Sequence, residues 1–328
     1  MGVKLAGWTA AQGVEVAIST RPGALDRYLP SGVPILWRRH DSFPGLVSEL
    51  VAQTRQWKPD ILHAHQRREA LASRITARLL RLHAVEHAQN EIPSRAFRSL
   101  SYRSERVFAV SDTIRLMAIN DFGVDPDRIT VVDNIPVNVT GVVAKDDLPR
   151  SPLRVLAVGR VDEQKDPGRF LRVVRVIARN RPVMATWIGG GPLLDEMRRA
   201  TENVDNIVFV GQSFDVVPAL QAAHVLLITS AWEGMPLVVL EAMAAGTPVV
   251  TTGVGGLPSL IRDEQCGVVV DPTCTDDEFA AAVLRLIDDP LGTEAIRRRG
   301  WDVVRRRFNP DIAFSPIIDA YSALTQRQ

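Results

Sequence analysis

The feature that most limits how this chain can fold is a regular alternation of short apolar runs with longer amphipathic segments. The runs are apolar throughout rather than at every second position, which is typical of strands buried on both faces of a parallel sheet. Between two of them, Phe170, Val174 and Ile177 lie at helical spacing. This alternation over both halves predicts an α/β fold with two Rossmann-like parallel-sheet domains. The predicted strands are 14–19, 35–37, 61–63, 84–87, 107–110, 129–132, 154–158, 184–188, 207–210, 225–229, 248–251 and 268–270.

A stretch rich in proline, glycine and charged residues, from Val139 to Pro152, predicts the domain boundary. It gives an N-terminal domain over 1–145, a C-terminal domain over 146–308 and a last helix over 309–328. Ligands of such sheets bind beyond the carboxyl ends of the strands, so two facing domains predict one cleft. The chain opens with Met1–Gln12, typical of the end of a helix, and continues into a predicted second strand. We therefore expect that the first strand is missing, so that either the true start lies upstream or the N-terminal domain is incomplete at its start.

Composition excludes several classes of protein. Apolar residues make up 46% of the chain and charged residues 23%, unlike a disordered chain or a collagen-like repeat. Two cysteines are too few for a disulfide scaffold. With 39 lysines and arginines against 38 acidic residues, the chain lacks the basic excess of a general nucleic-acid-binding protein. It has no apolar run of roughly 18 residues and no apolar core of a secretory signal after Met1, so we expect a cytoplasmic protein.

The first half of the chain is mildly basic because arginines cluster in one region. Two interpretations stay open: a solvated helix face, or a surface that meets anionic lipid or an acidic acceptor. The second would place the protein peripherally at the inner face of a membrane. The arginines are Arg67, Arg68, Arg74, Arg78, Arg81, Arg95, Arg98, Arg103 and Arg106.

The strongest chemical signal follows the predicted strand 225–229. Gly234 lets the backbone approach a ligand, and Pro236 suits the first turn of a helix, whose free N–H groups can bind a phosphate. Glu233 and Glu241 are eight residues apart, roughly 12 Å at about 1.5 Å rise per residue, so they can hold hydroxyls at opposite ends of an extended ligand. The alternative is a buried amphipathic helix with two ordinary glutamates.

This segment, E-G-M-P-x-x-x-x-E-A-M-A-x-G-x-P-V-V from Glu233, resembles the retaining two-domain glycosyltransferases with the GT-B fold, family 4. The resemblance extends over nearly the whole chain and is strongest over Leu153–Pro272. It implies that Glu241 binds the ribose of a nucleotide sugar and that Glu233 contacts hydroxyls of the donor sugar. The residues beside Glu233 that it implies for donor binding are Gly234, Met235, Pro236 and Leu237. It also implies that the last helix returns to pack on the first domain.

A second signal follows the predicted strand 154–158. Arg160 and Lys165 stand between a strand end and a helix start, which is typical of a diphosphate site. Similar proteins carry G-R-x-x-x-x-K-G here, and the resemblance places both cations on the leaving diphosphate. This chain has Asp166 where those proteins have glycine, which adds a negative charge beside the site. The alternative is a surface arginine and lysine.

Two weaker signals come from glycines that follow strands. The turn Gly189-Gly190-Gly191-Pro192 does not have the G-x-G-x-x-G spacing of a dinucleotide site. The resemblance implies that Gly190 lines the nucleotide pocket and that Val210 and Gly211 contact the base through the backbone.

Six histidines occur, and His63, His65 and His87 follow or end predicted strands. No histidine and acidic cluster has ligand spacing on one predicted helix, so we expect no metal site. The resemblance makes His87 the histidine that faces the donor sugar, and a core or surface histidine is the equal alternative.

Together with these signals, the resemblance implies a glycosyltransferase that moves a hexose-like sugar from a nucleoside diphosphate to a hydroxyl acceptor with retained anomeric configuration. Glu233, Arg160, Lys165 and His87 are the predicted catalytic residues. No cofactor is expected besides the donor, and the acceptor would be a lipid-linked or other glycan, so the role would lie in glycan or glycolipid biosynthesis. A sugar-nucleotide-binding protein without transferase activity is the main alternative because the first domain is expected to be incomplete. A sugar-nucleotide epimerase is the second, although it needs an acid and a base around the sugar ring.

Overall fold

The computed structural model describes residues 2–23, 26–89, 98–133, 135–136, 151–213 and 215–326. The chain divides into two compact units, the first formed by Met1–Ile135 together with Pro310–Gln328, and the second by Pro136–Asn309. The predicted boundary between 145 and 146 lies outside the described residues.

The elements alternate along the chain as the apolar pattern predicts. Up to residue 131 they are α1 (Gly2–Ala11), β1 (Ile18–Thr20), β2 (Ile35–Trp37), α2 (Phe43–Trp57), β3 (Ile61–Ala64), α3 (Arg67–Leu80), β4 (His83–Ala88), β5 (Arg106–Ala109), α4 (Asp112–Asn120) and β6 (Ile129–Val131). The second unit contains β7 (Leu153–Val158), α5 (Pro167–Asn180), β8 (Val183–Ile188), α6 (Leu194–Ala200), β9 (Ile207–Gly211), α7 (Val217–Ala222), β10 (Val225–Ile228), α8 (Leu237–Ala244), β11 (Val249–Thr252), β12 (Val268–Val270), α9 (Asp276–Asp288) and α10 (Pro290–Arg307). The chain ends with α11 (Pro310–Ala313) and α12 (Ser315–Thr325).

The second unit is a six-stranded sheet in the order β12-β11-β10-β7-β8-β9, and every pair of neighbours is parallel. This is the doubly wound Rossmann order, in which the first strand of the unit pairs with the second and the fourth. Helix α5 buries Phe170, Val174 and Ile177 against the sheet, as their spacing predicts. Phe170 meets Trp187 of β8 edge to face, with ring centroids 5.1 Å apart.

The first unit has two parallel sheets, β1-β2 and β3-β4-β5-β6. Among the described residues, no strand joins β1 to β3. The predicted strand 14–19 is shorter and later in the structure, Ile18–Thr20. Residues 14–17 lie outside the strand, and Val14 is 41% exposed although it is apolar.

The last helix packs into the core of the first unit. Phe314 and Ile317 are fully buried there beside Phe108 and Val85. Trp8 of α1 meets Phe314 edge to face, and its indole N–H donates to Asp311 Oδ1 at 2.7 Å. Within the described part of the chain, no helix is both long enough and apolar enough to cross a bilayer.

Candidate functional site

The strand order of the second unit brings two predicted motifs together. Strands β7 and β10 are neighbours, but the elements that follow them extend toward opposite edges of the sheet. Such a switch point opens a crevice beyond the carboxyl ends of the two strands. The segment 159–166 follows β7 and the segment 229–236 follows β10, so both motifs lie at this crevice.

Lys165 and Glu233 form an ion pair between these two segments. Lys165 Nζ contacts Glu233 Oε1, and Ser230 Oγ donates to the same oxygen at 2.6 Å. Glu233 is 4% exposed, so the lysine and the hydroxyl compensate a carboxylate that is largely removed from water. Thr229 also joins the segments, since its hydroxyl donates to the carbonyl of Lys165 at 2.9 Å.

Arg160 lies in the same segment as Lys165 but near the surface. Its side chain is 72% exposed, and its guanidinium pairs with Asp162 Oδ2 at 3.1 Å. Exposed ion pairs contribute little to stability, so a multiply charged anion can compete for this guanidinium.

Asp166 begins α5 with a left-handed backbone, at φ 46° and ψ 66°. Its carboxylate accepts from the Arg169 amide at 2.8 Å and caps the helix. Glycine suits a left-handed residue, and aspartate is among the few others that adopt this conformation readily. The departure from glycine therefore keeps the required backbone and adds a cap.

Helix α8 begins without a side-chain cap. Pro236 stands at the N-cap with extended backbone and makes no side-chain hydrogen bond to the helix start. Amide groups at such an end attract anions. Pro236 has no N–H of its own. Among residues 234–237 the amide donors are therefore those of Gly234, Met235 and Leu237.

The predicted helix start near Pro236 matches the structure, but a helical rise does not apply to the residues between Glu233 and Pro236. Glu233 precedes α8, and Glu241 lies within it, 9% exposed. The distance of roughly 12 Å assumed one continuous helix, whereas an irregular segment connects Glu233 to the first turn. Glu233 is positioned instead by Lys165 and Ser230.

The glycine turn after β8 packs against the segment after β7. Gly189 has φ 152°, and a Cβ there would lie 1.9 Å from the carbonyl oxygen of Gly159. The Gly190 carbonyl accepts from Val161 N at 3.0 Å, and Gly189 N donates to the Gly211 carbonyl at 2.8 Å. Val210 has a half-exposed side chain, and its carbonyl accepts from Arg198 at 2.8 Å. The three strand ends thus form one hydrogen-bonded edge.

In the first unit, the ends of β3 and β4 bring three histidines together. His87 is 4% exposed, and its Nδ1 lies 2.8 Å from His63 Nε2. His63 Nδ1 lies 2.5 Å from the Tyr321 hydroxyl of α12. Burial lowers the pKa of His63 and His87 well below the ordinary histidine value and lowers that of His65 to about 4, so all three are neutral at pH 7.

The sequence pattern indicates these histidines singly and not as a cluster, because they lack ligand spacing on one predicted helix. His63 pairs with Val85 and Ala64 with Glu86 across the parallel strands β3 and β4. The signal that could have joined them is therefore the shared edge at which parallel strands end. Nothing in the sequence pointed to Tyr321, which is 234 positions after His87.

Two family models match the chain. The model described as Glycosyltransferase Family 4 matches residues 3–135, and the model described as Glycosyl transferases group 1 matches residues 152–289. Each model covers less than half of the chain, one over each predicted domain. Both halves of the chain are therefore similar to glycosyltransferase domains.

Relatives among known proteins are glycosyltransferases of several substrates. A UDP-Gal:alpha-D-GlcNAc-diphosphoundecaprenol alpha-1,3-galactosyltransferase of Escherichia coli is 27% identical over 263 residues, 71% of this chain and 68% of that protein. A D-inositol 3-phosphate glycosyltransferase of Salinispora tropica is 33% identical over 53% of this chain, which spans only 39% of that relative's length. Another of that name, from Thermobispora bispora, is 26% identical over 90% of this chain and 82% of its own.

Solved structures share the fold at low identity. A glycosyltransferase of Rickettsia africae superposes with a TM-score of 0.81 at 15% identity, covering 99% of this chain and 94% of its own. Anabaena Alr3699/HepE in complex with UDP gives a TM-score of 0.74 at 19% identity, covering 91% and 88%. The predicted fold class, two Rossmann-like domains of the GT-B type, is confirmed.

Proposed function

We propose that this protein transfers a sugar from a nucleoside-diphosphate sugar to a hydroxyl acceptor with retention of anomeric configuration. The observation that carries the proposal is the switch point of the second unit, where Lys165, Glu233 and the uncapped start of α8 lie at neighbouring strand ends. Its anion-binding groups suit a diphosphate, and its buried carboxylate suits sugar hydroxyls.

The diphosphate leaves with the electron pair of the bond to the sugar's C1. Lys165, Arg160 and the amides at the start of α8 stabilise the negative charge that develops on it. The acceptor oxygen forms the new bond to C1 on the same face, and its proton passes to an oxygen of the departing phosphate. Because Glu233 Oε1 already accepts from Lys165 and Ser230, we assign Glu233 to orienting the donor sugar and not to attacking it.

We also propose that transfer needs no metal ion. The two cations supplied by Arg160 and Lys165 offset the charge of the diphosphate. Transfer rates measured with and without EDTA should be equal, and a rate that falls with EDTA and returns with Mg²⁺ or Mn²⁺ would contradict this.

The first experiment is isothermal titration calorimetry of the chain with UDP, GDP, ADP and CDP. UDP leads because Alr3699/HepE was solved with UDP and the Escherichia coli relative is named for UDP-Gal. Glu241→Ala and Lys165→Ala should each weaken binding at least tenfold. Glu202→Ala and Arg179→Ala, which remove exposed charges of the same unit, are matched controls and should bind like the wild type. A folded protein that binds none of these nucleotides would refute the site.

Transfer is tested next, with UDP-hexoses as donors and two acceptors taken from the relatives' names, a polyprenyl-diphosphate-linked sugar and an inositol phosphate. Proton NMR of the product gives the anomeric configuration. An inverted product contradicts retention. Tight nucleotide binding with no transfer to any acceptor favours the alternative of a sugar-nucleotide-binding protein.

Peripheral contact with anionic lipid is a second proposal, carried by the surface around α3. Arg78, Arg81 and Arg98 are exposed, and Leu79 and Leu100 beside them are 65% and 46% exposed. Arg74 donates to the Leu100 carbonyl at 3.1 Å, which places the two segments side by side. Basic residues interleaved with exposed leucines are typical of a surface that binds an anionic interface.

Not all of the arginine cluster is available to lipid. Arg67 bonds Ser101, while Arg103 and Arg106 donate to backbone carbonyls. We expect co-sedimentation with phosphatidylglycerol vesicles, and we expect Leu79→Ser with Arg78→Ser to reduce it several-fold. Equal binding to neutral and anionic vesicles would contradict the proposal.

A further inference from the structure

A continuous line of hydrogen bonds runs through the first unit from α12 to the end of β4. Tyr321 Oη lies 2.5 Å from His63 Nδ1, and His63 Nε2 lies 2.8 Å from His87 Nδ1. The imidazoles of His63 and His87 are nearly parallel, at 5°, with centroids 4.8 Å apart. Since two of their nitrogens are only 2.8 Å apart, the ring planes are closer than the roughly 3.5 Å of stacked carbon atoms. The rings therefore lie side by side, as an in-plane N–H···N hydrogen bond requires.

A metal site does not explain this arrangement. The ligand atoms of His63, His65 and His87 lie within 4.8 Å of one another. Two imidazole nitrogens at about 2.0–2.1 Å from one tetrahedral zinc ion would be roughly 3.3 Å apart. The 2.8 Å between His63 Nε2 and His87 Nδ1 is a hydrogen-bond length, and these two atoms face each other with no space for an ion between them.

This line of hydrogen bonds determines which nitrogen of each imidazole carries the proton. A neutral imidazole carries one N–H, so each ring can donate from one nitrogen only. Burial raises the pKa of Tyr321, which therefore keeps its proton. Among the described residues His63 Nδ1 is the acceptor that this hydroxyl reaches, so Tyr321 donates to it. His63 then donates from Nε2 to His87 Nδ1, and the proton of His87 must reside on Nε2.

The free end of the line is His87 Nε2. This atom is buried and has no hydrogen-bond partner within the described part of the chain. A buried N–H without a partner is unfavourable and is rare in proteins unless a ligand or water completes it. The other four atoms of the line, Tyr321 Oη, both nitrogens of His63 and His87 Nδ1, have partners. The unsatisfied donor is therefore Nε2 of the histidine that the family resemblance implies faces the donor sugar.

We propose that Tyr321 and His63 are positioning residues, which hold His87 as the Nε2–H tautomer so that it donates a hydrogen bond to an oxygen of the bound substrate. The inference rests on the proposed function for the identity of that substrate, and on the geometry of the first unit alone for the tautomer. The proposal gives the last helix a role in the reaction. The hydroxyl of Tyr321 in α12 donates the first hydrogen bond, and this fixes the direction in which the next one is donated.

The test combines NMR with kinetics on the full chain. Tyr321→Phe removes the hydroxyl and keeps the ring, and Tyr102→Phe, a buried tyrosine elsewhere in the first unit, is the matched control. The protein is labelled with ¹⁵N-histidine, and His87 is assigned by comparison with His87→Gln. In the wild type we expect the nitrogen shifts of the Nε2–H tautomer. In Tyr321→Phe we expect shifts of a tautomer mixture, with the Tyr102→Phe spectrum unchanged.

Kinetic measurements distinguish a positioning role of Tyr321 from a purely structural one. We expect Tyr321→Phe to lower kcat about tenfold while the Kd for UDP, measured by calorimetry, stays within twofold. His63→Gln should lower kcat at least as much. Unchanged kcat in Tyr321→Phe overturns the proposal.

The remaining outcomes also decide the question. If Tyr321→Phe fails to fold, the wild-type spectrum is sufficient, because a bare Nε2 on His87 overturns the proposal. If zinc added to the wild type shifts all three histidines together at micromolar concentration, the cluster is a metal site and the proposal fails. If no UDP binds, the proposed function fails, whereas the tautomer measurement still tests the line.

Discussion

At the scale of single residues, one oxygen of Glu233 accepts from both Lys165 and Ser230. The pair leaves the lysine partly neutralised until a ligand arrives. Glu233→Gln removes that charge, so we expect the affinity for UDP to rise roughly threefold to tenfold, since 1.4 kcal/mol corresponds to tenfold. Transfer should fall about a hundredfold or more because the sugar loses a strong acceptor.

Ser230→Ala is the control for this prediction, because it removes a hydrogen bond to the same oxygen without changing a charge. Its affinity for UDP should stay within about twofold of the wild type. Calorimetry measures the affinity of both variants for UDP. Weaker UDP binding by Glu233→Gln would show that the carboxylate does not compete with the nucleotide for Lys165.

Asp166 combines a left-handed backbone with a helix cap. Asp166→Ala loses the cap, worth about 1 kcal/mol, and keeps a strained backbone, which costs roughly 1–2 kcal/mol. We expect the free energy of unfolding of the second unit to fall by about 1–3 kcal/mol in urea denaturation. Asp166→Asn keeps both properties and should stay within about 0.5 kcal/mol, so equal losses in the two variants would contradict this account.

At the scale of elements, the turn after β8 requires a residue without a side chain at position 189. In Gly189→Ala the new Cβ meets the Gly159 carbonyl oxygen at 1.9 Å, and φ 152° is unfavourable for any residue with a side chain. We expect a loss of about 2–5 kcal/mol, from backbone strain together with displacement of the neighbouring segment.

The matched comparison is Gly190→Ala in the same turn, where a Cβ would meet Gln212 Cβ at an ordinary 3.7 Å. Its unfolding free energy should fall by less than about 1 kcal/mol. Hydrogen exchange measured over the peptides that contain β7 and β8 reports both variants. Similar protection in the two would mean that the turn adapts to the added methyl group.

The elements themselves were largely predictable from the sequence. A buried parallel strand such as β10 is apolar at every position, and the predicted run 225–229 differs from Val225–Ile228 by one residue. The start of β1 was predicted poorly because Val14 is apolar yet exposed, and apolarity was the signal used. The helix start predicted near Pro236 matches α8, but the helical rise applied from Glu233 to Glu241 does not hold, because Glu233 lies in an irregular segment before the helix.

At the scale of the whole molecule, the chain ends in the unit in which it began. Phe314 is fully buried in the first unit, so Phe314→Ala should destabilise that unit by about 3–5 kcal/mol. Hydrogen exchange should show faster exchange over β4, β5 and α12, with the peptides of β7 to β9 unchanged. Ile312→Ala, at a residue that is 56% exposed, should change neither set, and a loss of protection in the second unit instead would contradict the assignment.

Acid should loosen the first unit because its three clustered histidines are held neutral. Their folded pKa values lie below the unfolded value of about 6.5, so below that pH the unfolded state binds more protons and stability falls. The loss reaches up to about 1.4 kcal/mol per pH unit for each histidine. Glu86 acts in the opposite sense, because burial raises its pKa and the folded state takes up its proton first.

Urea denaturation at pH 7.5, 6.0 and 5.0, followed through hydrogen exchange of β3 and β4, measures this slope. His63→Gln removes one of the three groups and should reduce the slope by about a third. Stability that is constant from pH 7.5 to 5.0 would show that these histidines are protonated as easily as in the unfolded chain.

The class of the fold follows from the amino-acid sequence alone, because continuous apolar runs and intervening amphipathic helices have few stable arrangements other than parallel sheets covered by helices. The sequence also pointed to the two motifs after β7 and β10, since glycine, proline and charge at strand ends are local features. Which side chains contact one another depends on the three-dimensional packing. The Lys165–Glu233 pair depends on the order of strands in the sheet, and the line from Tyr321 to His87 depends on the return of the last helix. Contacts between residues so distant in sequence follow from the packing of the whole chain, and no local pattern encodes them.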